Sequence, residues 1–284
     1  MSIEAEKFAG GVAVITGAGS GIGSGLARHA GSIGMTVVVA DINGDAAEKV
    51  AAEIRSSGGK AESFLVDVSR PEELDRLADD VFARHGSVRL LINNAGIETI
   101  GFVWEISAER WEKTLGVNLH GMIHGVRAFV PKMLEQGGEC WIANLASIGS
   151  FGIMPSQTAY ILSKHAAQSF SECLYLEMQV KGAPIHVSSI IPGSVKTGIF
   201  DPQHGQGESD FGSRQRQIMH EMMYAYGMEL PEASRVIFEG LARGDFWIST
   251  QPDMTRAMID GRIAFFQSGA PPVLAGEAAA ILGL

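Results

Sequence analysis

The sequence predicts an α/β fold: a doubly wound, seven-stranded parallel sheet with helices on both faces, in a single domain. Short apolar runs alternate with stretches of helical spacing, and glycines follow many of the runs. Four such runs within residues 12–92 are separated by helices, which is the pattern of consecutive βαβ units and therefore of a parallel sheet covered on both faces. The length of 284 residues suits one domain of this class.

Seven apolar runs are predicted as strands, because they are short, bounded by turn residues and often rich in valine and isoleucine. They lie at residues 12–16, 36–40, 61–66, 88–92, 139–144, 185–190 and 246–249. The segments between them show helical periodicity. Pro71 suits the start of a helix, with Glu72 and Glu73 in the first turn where the helix dipole favours acidic side chains. The predicted helices lie at residues 21–34, 45–57, 71–85, 109–133, 158–180 and from 231 onward.

Charge and composition exclude several classes of function. A formal net charge of −10 gives no favourable interaction with a phosphate backbone, so nucleic acid is not expected as a partner. No apolar run approaches the roughly 18 residues that span a bilayer, and the first residues lack the features of a secretion signal. Cys140 and Cys173 have no metal-binding spacing and are expected to be reduced thiols. We therefore expect a cytoplasmic protein with no membrane partner.

A glycine-rich turn follows the first predicted strand. Residues 16–23 read TGAGSGIG and lead directly into a helix. Such a turn brings backbone N–H groups and a helix N-terminus against a pyrophosphate, and glycines leave room for the close approach. Glycines also close ordinary strand-to-helix turns, and this spacing differs from the common G-x-G-x-x-G. The candidate cofactor-binding residues here are Gly17, Ser20, Gly21, Ile22 and Gly23.

Asp41 ends the second predicted strand, about 20 residues beyond the glycine-rich turn, where an acidic side chain binds the adenosine ribose. A carboxylate at this position repels the 2′-phosphate of NADP, and its neighbours Ser20 and Ile42 are uncharged. Asp41 could instead serve as a turn or capping residue, and the two roles are compatible. The sequence therefore predicts NAD as the cofactor.

Polar residues and glycines also follow the next three strands, where α/β sheets bind ligands. Asp67 and Val68 follow the third strand and are candidates to flank the adenine. Asn94, Ala95 and Gly96 follow the fourth strand, and residues 144–147 follow the fifth.

A tyrosine and a lysine on one predicted helix form the candidate reaction centre. Tyr160 and Lys164 are four residues apart and so share a helix face, and Ser147 lies 13 residues before Tyr160. A free tyrosine has a pKa of about 10. A nearby ammonium and a cationic nicotinamide ring would stabilise its phenolate, so that it accepts a proton from an alcohol. Taken alone, a Tyr-x-x-x-Lys pair also occurs by chance.

Together these motifs resemble the short-chain dehydrogenase/reductase family in order and spacing over roughly residues 10–250. The resemblance rests on TGAGSGIG (16–23), Asp67, NNAG (93–96), Asn118, Ser147, YILSK (160–164) and PGSVKT (192–197). It implies a Rossmann-like sheet of seven strands and a catalytic tetrad of Asn118, Ser147, Tyr160 and Lys164.

The resemblance also implies a role for each of these residues. Tyr160 would be the acid/base, Ser147 would hold the substrate oxygen, and Lys164 would bind the nicotinamide ribose and tune Tyr160. Asn118 would position a water in the proton relay. By the same resemblance the nicotinamide and its carboxamide would be held by Ile191, Pro192, Gly193, Val195 and Thr197.

These features predict an NAD-dependent oxidoreductase that transfers a hydride between a secondary alcohol or ketone and nicotinamide. Two alternatives remain: a non-catalytic NAD-binding regulator, and an isomerase or lyase that retains NAD as a transient hydride store. We expect residues 1–250 to form the dinucleotide-binding and catalytic domain, with a substrate lid at about 197–230 and a C-terminal tail at 251–284. The lid is suggested by a long connection and by a methionine-rich stretch of helical spacing at 218–228, for which a core helix is the alternative.

The expected substrate is apolar and possibly aromatic, because apolar side chains surround Ser147 in the sequence. The candidate lining residues are Phe102, Trp104, Ile148, Phe151, Ile153 and Met154.

His120 and His124 have zinc-ligand spacing, but no third ligand is evident, so no metal is predicted. The helices predicted at 109–133 and 158–180 carry apolar residues on more than one face, which favours a homodimer or homotetramer.

Overall fold

A computed structural model describes residues 2–274, 276, 279 and 282. It contains a seven-stranded parallel sheet in the order β3-β2-β1-β4-β5-β6-β7, flanked by helices, which confirms the predicted single-domain Rossmann-like fold. The strands are β1 (Val12–Thr16), β2 (Thr36–Asp41), β3 (Lys60–Leu65), β4 (Leu90–Asn93), β5 (Cys140–Leu145), β6 (Ile185–Ile191) and β7 (Trp247–Ser249). The described helices are α1 (Ile3–Phe8), α2 (Gly21–Ser32), α3 (Gly44–Ser56), α4 (Pro71–His85), α5 (Ala108–Leu115), α6 (Gly121–Gln136), α7 (Thr158–Lys181), α8 (Asp210–Tyr226), α9 (Leu230–Arg243) and α10 (Pro252–Ser268).

The core consists of two layers because alternate residues of each strand point to opposite faces of the sheet. Ala13 and Ile15 of β1 pack in a cluster with side chains of α1, α2, α3 and α9. Val12 and Val14 pack on the other face with side chains of α4, α6 and α7. Both faces of β1 are therefore buried, which explains its continuous apolar run.

Two predicted elements differ from the structure because of contacts with residues far away in the chain. β4 begins at Leu90 rather than at residue 88, because the side chain of Gln136 bonds both the N–H and the C=O of Val88. The helix predicted at 109–133 is interrupted by a π-helical turn, Gly116–His120, between α5 and α6. Such turns are common at functional sites, and this one contains Asn118.

Two helices, α1 and α10, were not predicted, and a third, α8, was anticipated only as helical spacing at 218–228. α1 is capped by Ser2 and places Phe8 in the core, with its ring centroid 4.9 Å from that of Trp141. α8 occupies most of the segment predicted as a lid, after a short 3₁₀ turn at Pro202–His204. α10 forms the first half of the predicted tail. The remainder of that tail lies partly outside the described residues. None of the helices within the described ranges combines the length and apolar character needed to cross a membrane.

Candidate active site

Most of the candidate residues lie at or beyond the carboxyl ends of the strands, around the point where the strand order reverses. β1 lies between β2 and β4, so the connections on its two sides run in opposite directions along the sheet. In open parallel sheets this switch point creates a crevice that binds ligands. The glycine-rich turn follows β1 there, and the segment beginning at Asn94 follows β4.

Two glycines of the glycine-rich turn, Gly17 and Gly23, are packed too tightly to accept a side chain. Gly17 has φ +63°, and a Cβ there would lie 2.7 Å from the Cα of Ala95. A Cβ on Gly23 would lie 2.3 Å from the carbonyl oxygen of Gly17. α2 begins at Gly21, directly after Ser20, and carries no acidic residue in its first turn. This cradle therefore fits a pyrophosphate, whose charge the helix N-terminus would stabilise.

Asp41 is held at the edge of this cradle by two backbone donors. The N–H of Gly19 donates to its Oδ2 at 2.8 Å, and the N–H of Asn43 donates to its Oδ1 at 2.9 Å. Each carboxylate oxygen retains a further lone pair for a ribose hydroxyl. Ile42, beside it, is 65% exposed, which fits a residue that would cover an adenine ring.

Asn94 and Ala95 connect β4 to the glycine-rich turn. The side-chain amide of Asn94 donates to the carbonyl oxygens of Thr16 and Gly17, at 2.8 and 3.1 Å. The backbone N–H groups of Asn94 and Ala95 both donate to the hydroxyl of Thr16. These bonds fix the shape of the cradle, so Asn94 acts on it as a positioning residue.

Asp67 and Val68 are held in the turn after β3. Asp67 accepts bonds at Oδ1 from the N–H and the hydroxyl of Ser69, and its own N–H donates to Glu73. Val68 packs against Gly121 at the start of α6, where an added Cβ would lie 2.7 Å from it. The position at the strand edge fits the predicted adenine contact.

Asn118 clamps the peptide units on both sides of Ile97. Its Oδ1 accepts from the N–H of Ile97 at 2.8 Å, and its Nδ2 donates to the C=O at 2.9 Å. The same Nδ2 donates to the hydroxyl of Ser163 on α7, which in turn bonds the carbonyl of Tyr160. The π-helical turn thereby ties the segment after β4 to the helix that carries Tyr160 and Lys164.

Ser147, Tyr160 and Lys164 converge at the ends of β5 and α7. The ammonium of Lys164 lies 5.6 Å from the centroid of the Tyr160 ring and donates to the carbonyl of Leu145 at 2.8 Å. Desolvation raises the pKa of Tyr160 most, and the charge of Glu98 raises it further. A hydrogen bond to Ser147 lowers this pKa. Burial lowers the pKa of Lys164 to about 8. The protein's own groups thus keep Tyr160 a neutral phenol.

The segment expected to face the nicotinamide is held by residues that the sequence reasoning missed. The N–H of Gly193 donates to Thr250 and to Gln251, and the amide of Gln251 donates to the carbonyl of Ser194. Pro192 accepts a bond from the N–H of Ile148, beside Ser147. No local motif marks Thr250 or Gln251, because they lie more than 50 residues away in the chain.

Val195 and Thr197 lie where this segment meets the predicted lid. Val195 is buried and bridges to Met228, and the Thr197 hydroxyl contacts the Met223 sulfur at 3.7 Å. A Cβ on Gly21 would lie 3.5 Å from Thr197, so the turn after β1 and the start of the lid face each other.

A buried charge cluster attaches the predicted lid to the segment after β4. Glu208 accepts bonds from Arg216 on α8 and from Arg110 on α5, and the Glu208 and Arg216 side chains are almost fully buried. Arg216 also donates to the carbonyl of Glu98. Glu98 was missed in the sequence, although an acidic residue two positions beyond Gly96 could have indicated it.

The predicted substrate-lining residues divide into two groups. Phe102 stacks between Trp104 and Phe211 of α8, with centroid distances of 5.2 and 4.7 Å. Trp104 is 80% exposed, so it forms the outer end of this stack. Phe151 packs 5.7 Å from Trp247.

The loop after Ser147 is covered by the predicted tail. A Cβ on Gly152 would lie 2.3 Å from Met258 of α10, and His165 of α7 bonds the carbonyl of Gly152. α10 therefore helps to fix the loop that contains Ile153 and Met154.

His120 and His124 are neighbours, with ring centroids 6.2 Å apart. Within the described part of the chain, no group of three or more His, Cys, Asp or Glu side chains could hold a metal ion.

Comparison with known proteins identifies the family. Residues 11–206 match the short chain dehydrogenase family. The chain belongs to this family. Among curated relatives, a cyclohexanol dehydrogenase of Acinetobacter sp. strain SE19 is 36% identical over 199 residues, which cover 70% of this chain and 78% of that protein. The short-chain dehydrogenase also matches the probable oxidoreductase EphD of Mycobacterium tuberculosis strain H37Rv, at 37% identity over 185 residues.

The EphD match covers 65% of this chain but spans only 31% of that longer protein. A solved short-chain dehydrogenase/reductase from Burkholderia phymatum, in complex with NAD, is 32% identical. Its TM-score is 0.87, and the alignment covers 94% of this chain and 99% of the other. The family match and this alignment place the chain among the short-chain dehydrogenases.

Proposed function

We propose that this protein is an NAD-dependent alcohol dehydrogenase or ketone reductase acting on secondary alcohols and their ketones. One observation carries the proposal: Ser147, Tyr160 and Lys164 converge beside the crevice that the glycine cradle and Asp41 border. That crevice offers anion-binding N–H groups at one end and a proton-transfer pair at the other. A nicotinamide dinucleotide requires both.

In alcohol oxidation, Ser147 and Tyr160 hold the substrate hydroxyl between their oxygens, and Tyr160, once it is a phenolate, accepts the hydroxyl proton and becomes a phenol. Bound NAD would supply the hydride acceptor and a positive charge near the phenol. Lys164 contributes a second positive charge, which favours the phenolate. Asn118 keeps the Tyr160 helix in register through Ser163. In ketone reduction Tyr160 donates the proton instead.

NAD is favoured over NADP by the charge at the ribose end. Asp41 presents a carboxylate there, and the adjacent Ser20 and Ile42 supply no cation to neutralise a 2′-phosphate. A like charge at close range weakens the binding of the 2′-phosphate by up to several kcal/mol. The Burkholderia phymatum relative was solved in complex with NAD.

The substrate is proposed to be apolar and cyclic or aromatic. Phe102 stacks on Phe211 of the predicted lid, and the loop after Ser147 carries Ile148, Phe151 and Met154. The name of the Acinetobacter relative, cyclohexanol dehydrogenase, is consistent with an apolar cyclic alcohol. Residues 197–230 would act as a lid over this substrate.

The assembly is proposed to be a homodimer or homotetramer in the cytoplasm. α7 buries Leu174 and Met178 against the sheet, yet Leu176 is 58% exposed and Val180 is 91% exposed. A second apolar stripe on one long helix is best covered by the same helix of another copy.

A substrate panel tests the proposed function. Purified protein is mixed with NAD and, in turn, with cyclohexanol, a secondary phenylethanol and other cyclic or aryl alcohols, and NADH absorbance is followed. Steady NADH formation equal to ketone formed is the expected result. Substrate conversion without NADH would support an isomerase or lyase that retains its cofactor. Tight NAD binding without any turnover would support a regulator.

A further inference from the structure

We propose that Gln251 is a positioning residue, through which the start of α10 fixes the segment that would hold the nicotinamide for hydride transfer. This inference rests on the proposed dehydrogenase function and deepens it, because it gives the tail beyond residue 250 a part in that function. It begins from a glutamine whose side chain bonds a distant segment instead of its own helix.

Gln251 occupies the N-cap position of α10. Serine, threonine, aspartate and asparagine are preferred at such positions, because their short side chains bond the first free N–H groups of the helix. The side chain of Gln251 makes no capping bond to α10 among the described residues. Its Oε1 accepts the N–H of Gly193 at 3.1 Å instead, and its Nε2 donates to the carbonyl of Ser194 at 2.7 Å. The helix itself therefore does not account for a glutamine here.

The amide of Gln251 is in direct contact with the backbone of residues 193 and 194. A Cβ on Gly193 would lie 2.3 Å from Oε1 of Gln251, and the Thr250 hydroxyl accepts from the same N–H of Gly193 at 3.1 Å. The carbonyl of Ser194 also accepts from the N–H of Met228, at the end of the predicted lid, at 2.9 Å. The tail and the end of the lid therefore meet on one carbonyl group of this segment.

This segment, residues 192–197, links the reaction centre to the glycine cradle. At one end, the carbonyl of Pro192 accepts from the N–H of Ile148, next to the serine of the reaction centre. At the other end, Thr197 lies 3.5 Å from a Cβ placed on Gly21. A dinucleotide with its pyrophosphate in the cradle would extend its nicotinamide along this segment. A loosened segment would therefore misplace the ring that exchanges the hydride.

Two further attachments of α10 separate this role from simple anchoring of the helix. The Thr255 hydroxyl shares a hydrogen bond of 2.8 Å with that of Ser249, and Met258 packs against Gly152. Thr255→Val removes the first attachment and leaves both side-chain bonds of Gln251 in place. Thr255→Val is therefore a matched control for the loosening of α10.

Paired cofactor ligands test the proposal without turnover. NADH and ADP-ribose, which lacks the nicotinamide ring, are titrated by calorimetry into the wild type, Gln251→Met and Thr255→Val. Methionine has a similar length but no amide. Gln251→Met should weaken NADH by about threefold to tenfold more than ADP-ribose, because a segment freed from two hydrogen bonds must be ordered when the ring binds. Thr255→Val should leave the ratio of the two affinities unchanged.

Turnover gives a second readout. With saturating NAD and the best alcohol of the panel, the kcat of Gln251→Met should fall by about tenfold to a hundredfold, because a small misplacement of reacting groups costs that much. Thr255→Val should keep its kcat. If Gln251→Met does not fold, Gln251→Asn takes its place in both measurements, since its shorter side chain cannot reach both backbone groups.

Equal weakening of NADH and ADP-ribose by Gln251→Met, or an unchanged kcat, would overturn the proposal. The same fall in the affinity ratio in Thr255→Val would also overturn it, because Gln251 would then act only by anchoring α10. If the wild type binds NADH but oxidises no alcohol, the dehydrogenase assignment fails, and the affinity ratio alone decides the role of Gln251.

Discussion

The ammonium of Lys164 lies 5.6 Å from the centroid of the Tyr160 ring and is fixed there by a bond to the carbonyl of Leu145. Burial lowers the pKa of Lys164 to about 8, so this positive charge is present at neutral pH and is lost as the pH rises through 8. Desolvation of Tyr160 opposes its ionisation. The phenol therefore depends on Lys164, and on the bound cofactor, to become a proton acceptor.

Lys164→Met should lower kcat/KM for alcohol oxidation at pH 7 by about 10²–10⁴-fold, the usual size of an acid–base contribution. The difference from the wild type should shrink as the pH rises through 8, because the wild type loses its ammonium there. Rates measured from pH 6 to pH 10 check this. Lys113→Met, on the exposed side of α5, is the control and should leave the profile unchanged. Full activity with an unaltered profile in Lys164→Met would remove Lys164 from the mechanism.

Asp41→Asn should raise the ratio of NADP to NAD efficiency by about tenfold or more, because the substitution removes a full negative charge from the ribose site. The asparagine oxygen can still accept one backbone N–H, so the loop should be retained. The ratio of kcat/KM for the two cofactors is measured in both proteins, with Asp253→Asn on α10 as the control. A wild-type enzyme that uses NADP better than NAD would contradict the cofactor assignment.

Glu208→Ala should reduce the free energy of unfolding by about 3–5 kcal/mol, because it leaves the buried guanidinium of Arg216 without its partner. The matched control is Glu239→Ala, which breaks an exposed pair with Arg235 on α9 and should cost less than about 1 kcal/mol. Denaturant titration of the three proteins gives the values. Equal stability of the two variants would show that the charge cluster does not hold the lid segment to the domain.

Light scattering at micromolar concentration should give a mass of at least twice the 30.2 kDa of one chain. Leu176→Glu places a charge in the exposed apolar stripe of α7 and should dissociate the assembly. Ala52→Glu adds the same charge to the exposed face of α3, away from that stripe, and should not. A wild-type mass near that of a single chain would refute the proposed assembly.

The features that the sequence predicted are those encoded locally. β1 is a buried apolar run and matches its predicted bounds, and Tyr160 and Lys164 share a face because of helical spacing alone. The contacts that were missed join distant parts of the chain. Gln251 holds Gly193 across 58 residues, and Arg216 reaches Glu98 across 118, so no local pattern could reveal either.

Element ends were mispredicted for the same reason. The side chain of Gln136 satisfies Val88 and shortens β4, although the two residues are 48 positions apart. The π-helical turn at Asn118 depends on its clamp to Ile97, which periodicity cannot predict. The catalytic roles of the tetrad and the cofactor contacts stay predictions until variants are assayed.

Tyr160→Phe tests the central claim most directly, because it removes only the oxygen that is proposed to accept the proton. NADH formation from the best alcohol of the panel is measured for the variant and the wild type, together with NAD affinity by calorimetry. The account predicts that kcat/KM falls by about 10²–10⁴-fold while NAD binds as before. A variant that keeps a near-normal kcat would contradict the assignment of Tyr160 as the acid/base.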